Sequence, residues 1–307
     1  MLGIVYKIKG KFWWLLVAVI LAILAGAGIA RLYWNLNDGF FISHITSDEP
    51  YQGEWEIRPL TDLEQHELEA ALDQPYTYLA KGHQAYVFES QDQRYVIKFL
   101  KFQKLRLPAL LTKTSLPFPP LEHYRQTKLQ ERRKRLEEIF NSWKIAFEEL
   151  KNETGLVYVH LNQSHHLNKK LIITDKIGVG HVIDLDEVVF LVQKKGDVIA
   201  DVITNYMAQH NMISAEKVLD DLIDFYIAEN KRGFAEDDRH IARNAGLLNG
   251  KVIHIDIGRF IKDDSYAKPS VYQEAMIYKS EYFRKWLNKH YPELLPYFEM
   301  KLNHLTD

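Results

Sequence analysis

From Phe12 to Ala30 the chain reads FWWLLVAVILAILAGAGIA, without a single charged or hydrogen-bonding aliphatic side chain. Such a run is apolar on every face of a helix, which argues against a surface helix with one buried stripe. At about 1.5 Å of rise per residue it roughly matches a ~30 Å hydrocarbon core. Trp13 and Trp14 mark one end and Tyr33 and Trp34 the other, where amphipathic rings favour the membrane interface. Lys7, Lys9 and Lys11 precede the run and only Arg31 follows closely, a bias that puts the N-terminus in the cytoplasm. A cleaved signal peptide is the competing reading, with Ala25-Gly26-Ala27 as the small residues for cleavage.

Beyond the apolar run the periodicities change. Asp38-Gly39 and Gln52-Gly53 signal turns, and Thr61-Asp62 opens a short helix that runs to Ala71-Leu72. Tyr76–Leu79, Ala85–Glu89 and Tyr95–Leu100 are rich in aromatic and β-branched residues and predict strands, with Ser90-Gln91-Asp92-Gln93 as a hairpin connection. Leu105–Leu121 carries four prolines and an LPALL segment, and reads as an irregular insertion. From Leu121 to about Lys151, Leu129, Leu136, Ile139, Phe140, Trp143, Phe147 and Leu150 recur at helical steps. The opposite face holds Arg132, Arg133, Lys134 and Arg135, read as a solvated face rather than a lipid contact. Strand patterns return at Leu156–Leu161, Leu171–Thr174 and Glu187–Gln193. Helical ones follow near Val198–Gln209 and Ala215–Asn230, and again in the tail after Ile261. His181 with Asp184-Leu185-Asp186 reads as a turn. The order of elements predicts an α+β architecture in two lobes.

Composition narrows the chemistry only at the edges. A chain of 307 residues with a hydrophobic fraction of 47% can bury a substantial core. A net charge of -2 gives no reason to expect a nucleic-acid partner. The absence of cysteine removes disulfides, thiolate nucleophiles and cysteine metal sites. His165-His166, near His160, lacks the acidic partners and spacing of a metal site.

The stretch GFAEDDRHIARNAGLLNGKVIHIDIGRF, Gly233–Phe260, carries the densest chemistry. It places Asp237, Asp238, Arg239, His240 and Asn244 ahead of a strand-like KVIHI that delivers Asp256 into a turn with Gly258. Phosphoryl transfer from a nucleotide needs hard oxygen ligands for its metal and a carboxylate to orient the attacking hydroxyl. Carboxylates on a loop, a nearby Asn and a carboxylate at a strand end can supply both.

Here the sequence resembles the protein-kinase-like superfamily, whose catalytic loop reads H-R-D with Asn after four intervening residues and whose metal motif is Asp-Phe-Gly. Asp238-Arg239-His240 and His254-Ile255-Asp256-Ile257-Gly258 are similar in wording to the D-R-H-x-x-N and H-I-D-F-G loops of phosphatidylinositol 3- and 4-kinases. The resemblance implies Asp238 as the catalytic carboxylate, with Asp237 as the alternative, and Asn244 and Asp256 as Mg2+ ligands. Five residues separate Asp238 from Asn244, so the loop departs from the family spacing by one. Upstream, Lys98 in YVIKF resembles the small-lobe lysine that contacts the ATP phosphates, and Gly82 in AKGHQAYVF stands in a loop with one glycine where the family has three. Glu148 is the expected ion-pair partner of Lys98, with Glu149 and Glu138 as alternatives, and Glu187–Gln193 with Lys194-Lys195-Gly196 would form the strand and hinge at adenine.

The implied architecture is a two-lobed protein-kinase-like fold preceded by an N-terminal transmembrane helix. It divides into an anchor or signal peptide over residues 1–31, a connector over 32–75, an N-lobe with insertion over 76–193 and a helical C-lobe over 194–307. The implied function is a membrane-anchored atypical kinase using ATP and Mg2+ on a protein, lipid or sugar hydroxyl. The alternatives are an inactive pseudokinase serving as a membrane-tethered scaffold, and an α+β envelope domain unrelated to kinases.

Overall fold

The computed structural model describes residues 2–108, 111–112 and 118–305, with side chains from Trp13 onward. The lysines before Trp13 therefore contribute backbone only, and the proline-rich stretch 105–121 lies partly outside the described residues. The chain is α+β. Helix α1, Leu2–Leu36, contains the window Trp13–Leu36, long and apolar enough to cross a membrane and with none of it buried against the rest of the protein.

A seven-stranded sheet follows, in the order β4-β7-β3-β2-β1-β5-β6. Its strands are β1 Tyr76–Lys81, β2 Ala85–Ser90, β3 Tyr95–Leu100, β4 Leu156–His160, β5 Lys170–Thr174, β6 Gly180–Asp184 and β7 Phe190–Lys194. Neighbours are antiparallel except β1 with β5. The β2–β3 hairpin closes where expected, with Gln93 in the left-handed region (φ 59°). Strand β6 corrects the turn expected at His181: Gly180–Asp184 pairs residue for residue with Thr174–Lys170.

The helices after α1 are α2 Ile42–Ile45, α3 Asp62–Leu72, α4 Pro119–Glu148, α5 Lys151–Thr154, α6 Ile199–Ala208, α7 Met212–Lys231, α8 Ile241–Asn244, α9 Pro269–His290 and α10 Leu295–Asn303. Thr61 caps α3 in a reciprocal box with Glu64, which satisfies two otherwise orphaned amides. Proline at the start of α4 needs no amide partner there. Two of the basic residues of α4 are engaged within the protein: Arg132 meets Glu49 and the Leu105 carbonyl, and Arg133 meets Glu137.

One face of the sheet buries Tyr86, Phe88, Phe99, Phe190 and Val192 together with Phe40, Ile45, Leu68 and Leu72. The segment expected to be a connector is thus packed into the sheet's core. The other face packs on α4 through Leu136, Ile139, Phe140, Trp143 and Phe147, joined by Ile257 and Phe260. A separate cluster, with Leu219, Leu222, Tyr226, Met276, Phe283 and Phe298, holds α6, α7, α9 and α10 together. Between these clusters lie β8 Asp197–Val198, β10 Ala245–Leu248 and β11 Lys251–His254 in one small sheet, and β9 Phe234–Glu236 paired with β12 Phe260–Lys262.

Candidate functional site

Lys98 occupies the middle of β3, opposite Val87 on β2 and Leu191 on β7. Only 8% of it is exposed, and its ammonium donates to the carbonyl of Ile255. Burial pushes this amine down to about 8, against the pull of the nearby Asp256 carboxylate, which favours the charged form.

Ile255 lies in the turn that leaves β11. The amides of Ile255 and Asp256 both donate to the backbone carbonyl of Asn244, at 2.6 and 3.2 Å. Lys98, Asn244 and Asp256, remote in sequence, are therefore joined through one short stretch of backbone. Glycine is required where β10 passes this turn: a Cβ on Gly246 would lie 2.6 Å from Ile255 Cδ1 and 2.9 Å from the Asp197 carbonyl. Asp256 is exposed. Asn244 is buried, and its Nδ2 has no hydrogen-bond partner among the described residues.

The turn is fixed to α4. Ser142 Oγ donates to the Ile257 carbonyl (2.5 Å) and accepts from the Phe260 amide (2.7 Å). Gly258 faces the tip of the β1–β2 turn, so closely that a Cβ would lie 2.3 Å from Gln84 Oε1. That β1–β2 turn is itself tied down: Lys101 donates to the Gly82 carbonyl and Lys104 to that of His83 (2.7 Å). Burial, with Lys104 and Lys81 nearby, lowers Lys101 to about 7. Lys104 above all, then burial, Lys101 and Arg259, hold the His83 imidazole below its ordinary range. The cleft here measures about 860 Å³ and is bordered by His83, Lys101, Arg135, Glu138, Asp237 and Arg259. Its excess of cationic groups suits an anionic ligand.

Asp237 is exposed at this cleft, its amide donating to the Arg259 carbonyl (3.2 Å). Asp238 is half-buried, and its carboxylate accepts from the His240 amide (2.9 Å) and lies 2.6 Å from His240 Nδ1. Burial raises its pKa, but the bonds from His240 outweigh that and the group lies below the usual carboxylate range. Beneath it, Glu236 Oε1 accepts from the Asp238 amide (2.8 Å). Lys279 on α9 donates to Glu236 Oε2 (2.6 Å) and to the carbonyls of Glu236 and Asp238.

Glu148 stands elsewhere. It is exposed near the C-terminal end of α4 and accepts from the Arg58 amide at 3.1 Å, so it does not serve Lys98 here. Glu149 pairs with Lys262 (2.8 Å). Glu138 is the glutamate of α4 that borders the cleft, one helical turn before Ser142 and so on the face turned to the Asp256 loop. The sequence signalled Asn244, Asp256 and Lys98, but Ser142, Gln84 and Lys279 carry no motif and emerge only from contacts. Among the described residues no three His, Asp or Glu side chains converge as a metal site.

No family model matches the sequence, and no curated protein matches it. Solved structures with partial likeness include WbdD, a bifunctional kinase-methyltransferase (18% identity, TM-score 0.34, covering 72% of this chain and 43% of that one). Others are Rv3197 of Mycobacterium tuberculosis in complex with erythromycin (14% identity, TM-score 0.31, 77% of this chain and 67% of that one) and WaaP in complex with acyl carrier protein (11% identity, TM-score 0.30, 82% and 98%). The chain spans less than half the length of the WbdD chains it matches, at 43–46%. Similarity at this level decides neither fold family nor function, which have to be argued from the site.

Proposed function

We propose that this protein is a membrane-anchored phosphotransferase of the protein-kinase-like kind, its sheet and α4 forming one lobe and α6–α10 the other. The observation that carries the proposal is the backbone link that gathers Lys98, Asn244 and Asp256 at one turn. Lys98 would release the Ile255 carbonyl and meet the nucleotide phosphates, with Glu138 in the role first expected of Glu148. Asn244 and Asp256 would hold Mg2+ through their side-chain oxygens, which are of the hard type it takes, while the unpartnered Nδ2 of Asn244, a donor, would be left for a phosphate oxygen. When bound, the metal supplies charge neutralisation at the phosphates. Asp237 or Asp238 would orient a hydroxyl and accept its proton as its oxygen bonds to the γ-phosphorus and ADP departs. The phosphate acceptor is a protein, lipid or sugar hydroxyl.

A second reading, a nucleotide-free binding module, is favoured by one feature. Lys98, the Gly82 carbonyl and the Asp238 carboxylate are all engaged by internal partners. The cytoplasmic N-terminus expected from the lysine bias points the same way, because it would put the domain where ATP is scarce.

The test is Mg2+-dependent ATP binding by the full chain in lipid nanodiscs, read as thermal stabilisation, with Lys98→Ala and Asp256→Ala alongside. A ligand at about 100 times its Kd adds roughly 2.7 kcal/mol. Stabilisation of the parent that both variants lose is the expected result. No stabilisation of the folded parent overturns the phosphotransferase and leaves the binding module.

A further inference from the structure

The hairpin of β5 and β6 has an outer face that none of the described residues covers. Ile172 and Val182 are cross-strand partners and both are 58% exposed, while Ile177 and Val179 at the tip and Leu79 on adjoining β1 are 41–44% exposed. A half-buried sheet ordinarily turns polar residues outward. Clustered apolar side chains on that face mark an interaction surface.

The position of the hairpin says what covers it. Its tip is bolted to the end of the apolar helix α1. Asp175, 2% exposed, accepts from Tyr33 Oη (3.1 Å), Asn37 Nδ2 (2.9 Å) and His181 Nε2 (2.8 Å). The Lys176 amide donates to Asn37 Oδ1 (3.2 Å), and the Lys176 ammonium meets Asp38 (2.8 Å). Tyr33 lies less than one turn before Leu36, the end of the apolar window. The tip therefore stands at the depth where α1 leaves the hydrocarbon and where tyrosine and tryptophan favour the interface. Lys81 and Lys170 are exposed on the same strands and suit anionic headgroups.

We infer that the β5–β6 hairpin is a second membrane-contact element, resting its Ile172–Val182 face and its Ile177–Val179 tip in the headgroup region of the bilayer that α1 spans. The inference rests on α1 being a membrane span, and it assigns the domain a fixed seat on the lipid surface instead of a tether. An acceptor hydroxyl at the membrane would then be met from a constant height.

The absence of cysteine permits a direct test in the full chain. Ile177→Cys, Val179→Cys, Ile20→Cys and Lys217→Cys are each nitroxide-labelled in vesicles of 3:1 phosphatidylcholine and phosphatidylglycerol. Spin-label saturation then compares access to oxygen with access to a water-soluble nickel chelate. The expected result is a ratio at 177 and 179 several-fold above that at 217, and highest at 20. Labels at 177 and 179 that match 217 while 20 remains lipid-exposed overturn the hairpin contact and leave the anchor. A label at 20 that is open to nickel overturns the anchor, and the hairpin contact with it. Spin–spin broadening at 179 that persists on dilution into excess lipid assigns the face to a second copy and overturns the inference.

Discussion

At the level of single residues, the informative group is Lys98. An amine buried in β3 with its ammonium on a carbonyl is held down to about 8, so it is half-charged near that pH. Because the unfolded chain keeps its lysines charged to about 10.4, the burial of Lys98 opposes folding below pH 8. That opposition fades as pH rises between the two values, where the unfolded state binds more protons. Polyphosphate beside Lys98 reverses the preference, since a neighbouring anion favours the charged amine. ATP binding should therefore take up a fraction of a proton at pH 8.5 and almost none at pH 6.5. Calorimetry in buffers of different ionisation enthalpy measures this, and Lys98→Met should lower the uptake at pH 8.5, leaving the share that belongs to Lys101 in the same cleft. Equal uptake in parent and variant would place the proton elsewhere and remove Lys98 from the phosphate site.

Among the elements, α9 is the one whose role the sequence concealed. Lys279 emerges from a helix with no motif, yet it is buried against Glu236 and holds the carbonyl of Asp238. Burial raises the pKa of Glu236, and Lys279 is the main influence lowering it again. Lys279→Met should cost about 3–5 kcal/mol in denaturant unfolding, because an uncompensated charge is left inside. Adding Glu236→Gln should recover much of that; a double variant no better than the single would show that packing, not charge, was lost. Local signals fared better where the physics is local. The Thr61 cap, the β2–β3 hairpin, and the strands holding Lys98 and preceding Asp256 were legible because side-chain type and turn chemistry decide them. Spacing does not choose among Glu138, Glu148 and Glu149 because a proline-rich insertion hides the register of α4, and only the Ser142 contacts fix which face meets Asp256. His181 with Asp184-Leu185-Asp186 reads as a turn because its polar and acidic residues stand between apolar runs, while the pairing of β6 with β5 is a tertiary fact.

For the molecule as a whole, the boundary between anchor and folded domain matters most. The sequence suggests an anchor over residues 1–31 and a connector with short elements over 32–75, and in the structure Asn37 is wholly buried and Phe40 lies in the core of the sheet. The end of α1 is thus part of the fold. A chain beginning at residue 32 keeps Tyr33 and Asn37, whereas one beginning at residue 40 leaves Asp175 short of two donors. An unsatisfied buried charged group costs about 1–3 kcal/mol or more, so the shorter chain should melt several degrees lower at pH 7. The sign of the pH dependence follows from Asp175. Burial raises its pKa, but bonds from His181, the Val179 amide and Tyr33 outweigh that and hold it below the ordinary range. Its contribution is therefore complete above about pH 4 and lost as pH falls through the folded value. The gap between the two chains should narrow in acid. Equal melting temperatures at pH 7 would mean that the helix end only rests on the hairpin. The bolt that fixes the hairpin tip at the membrane surface would then be too weak to seat the domain there.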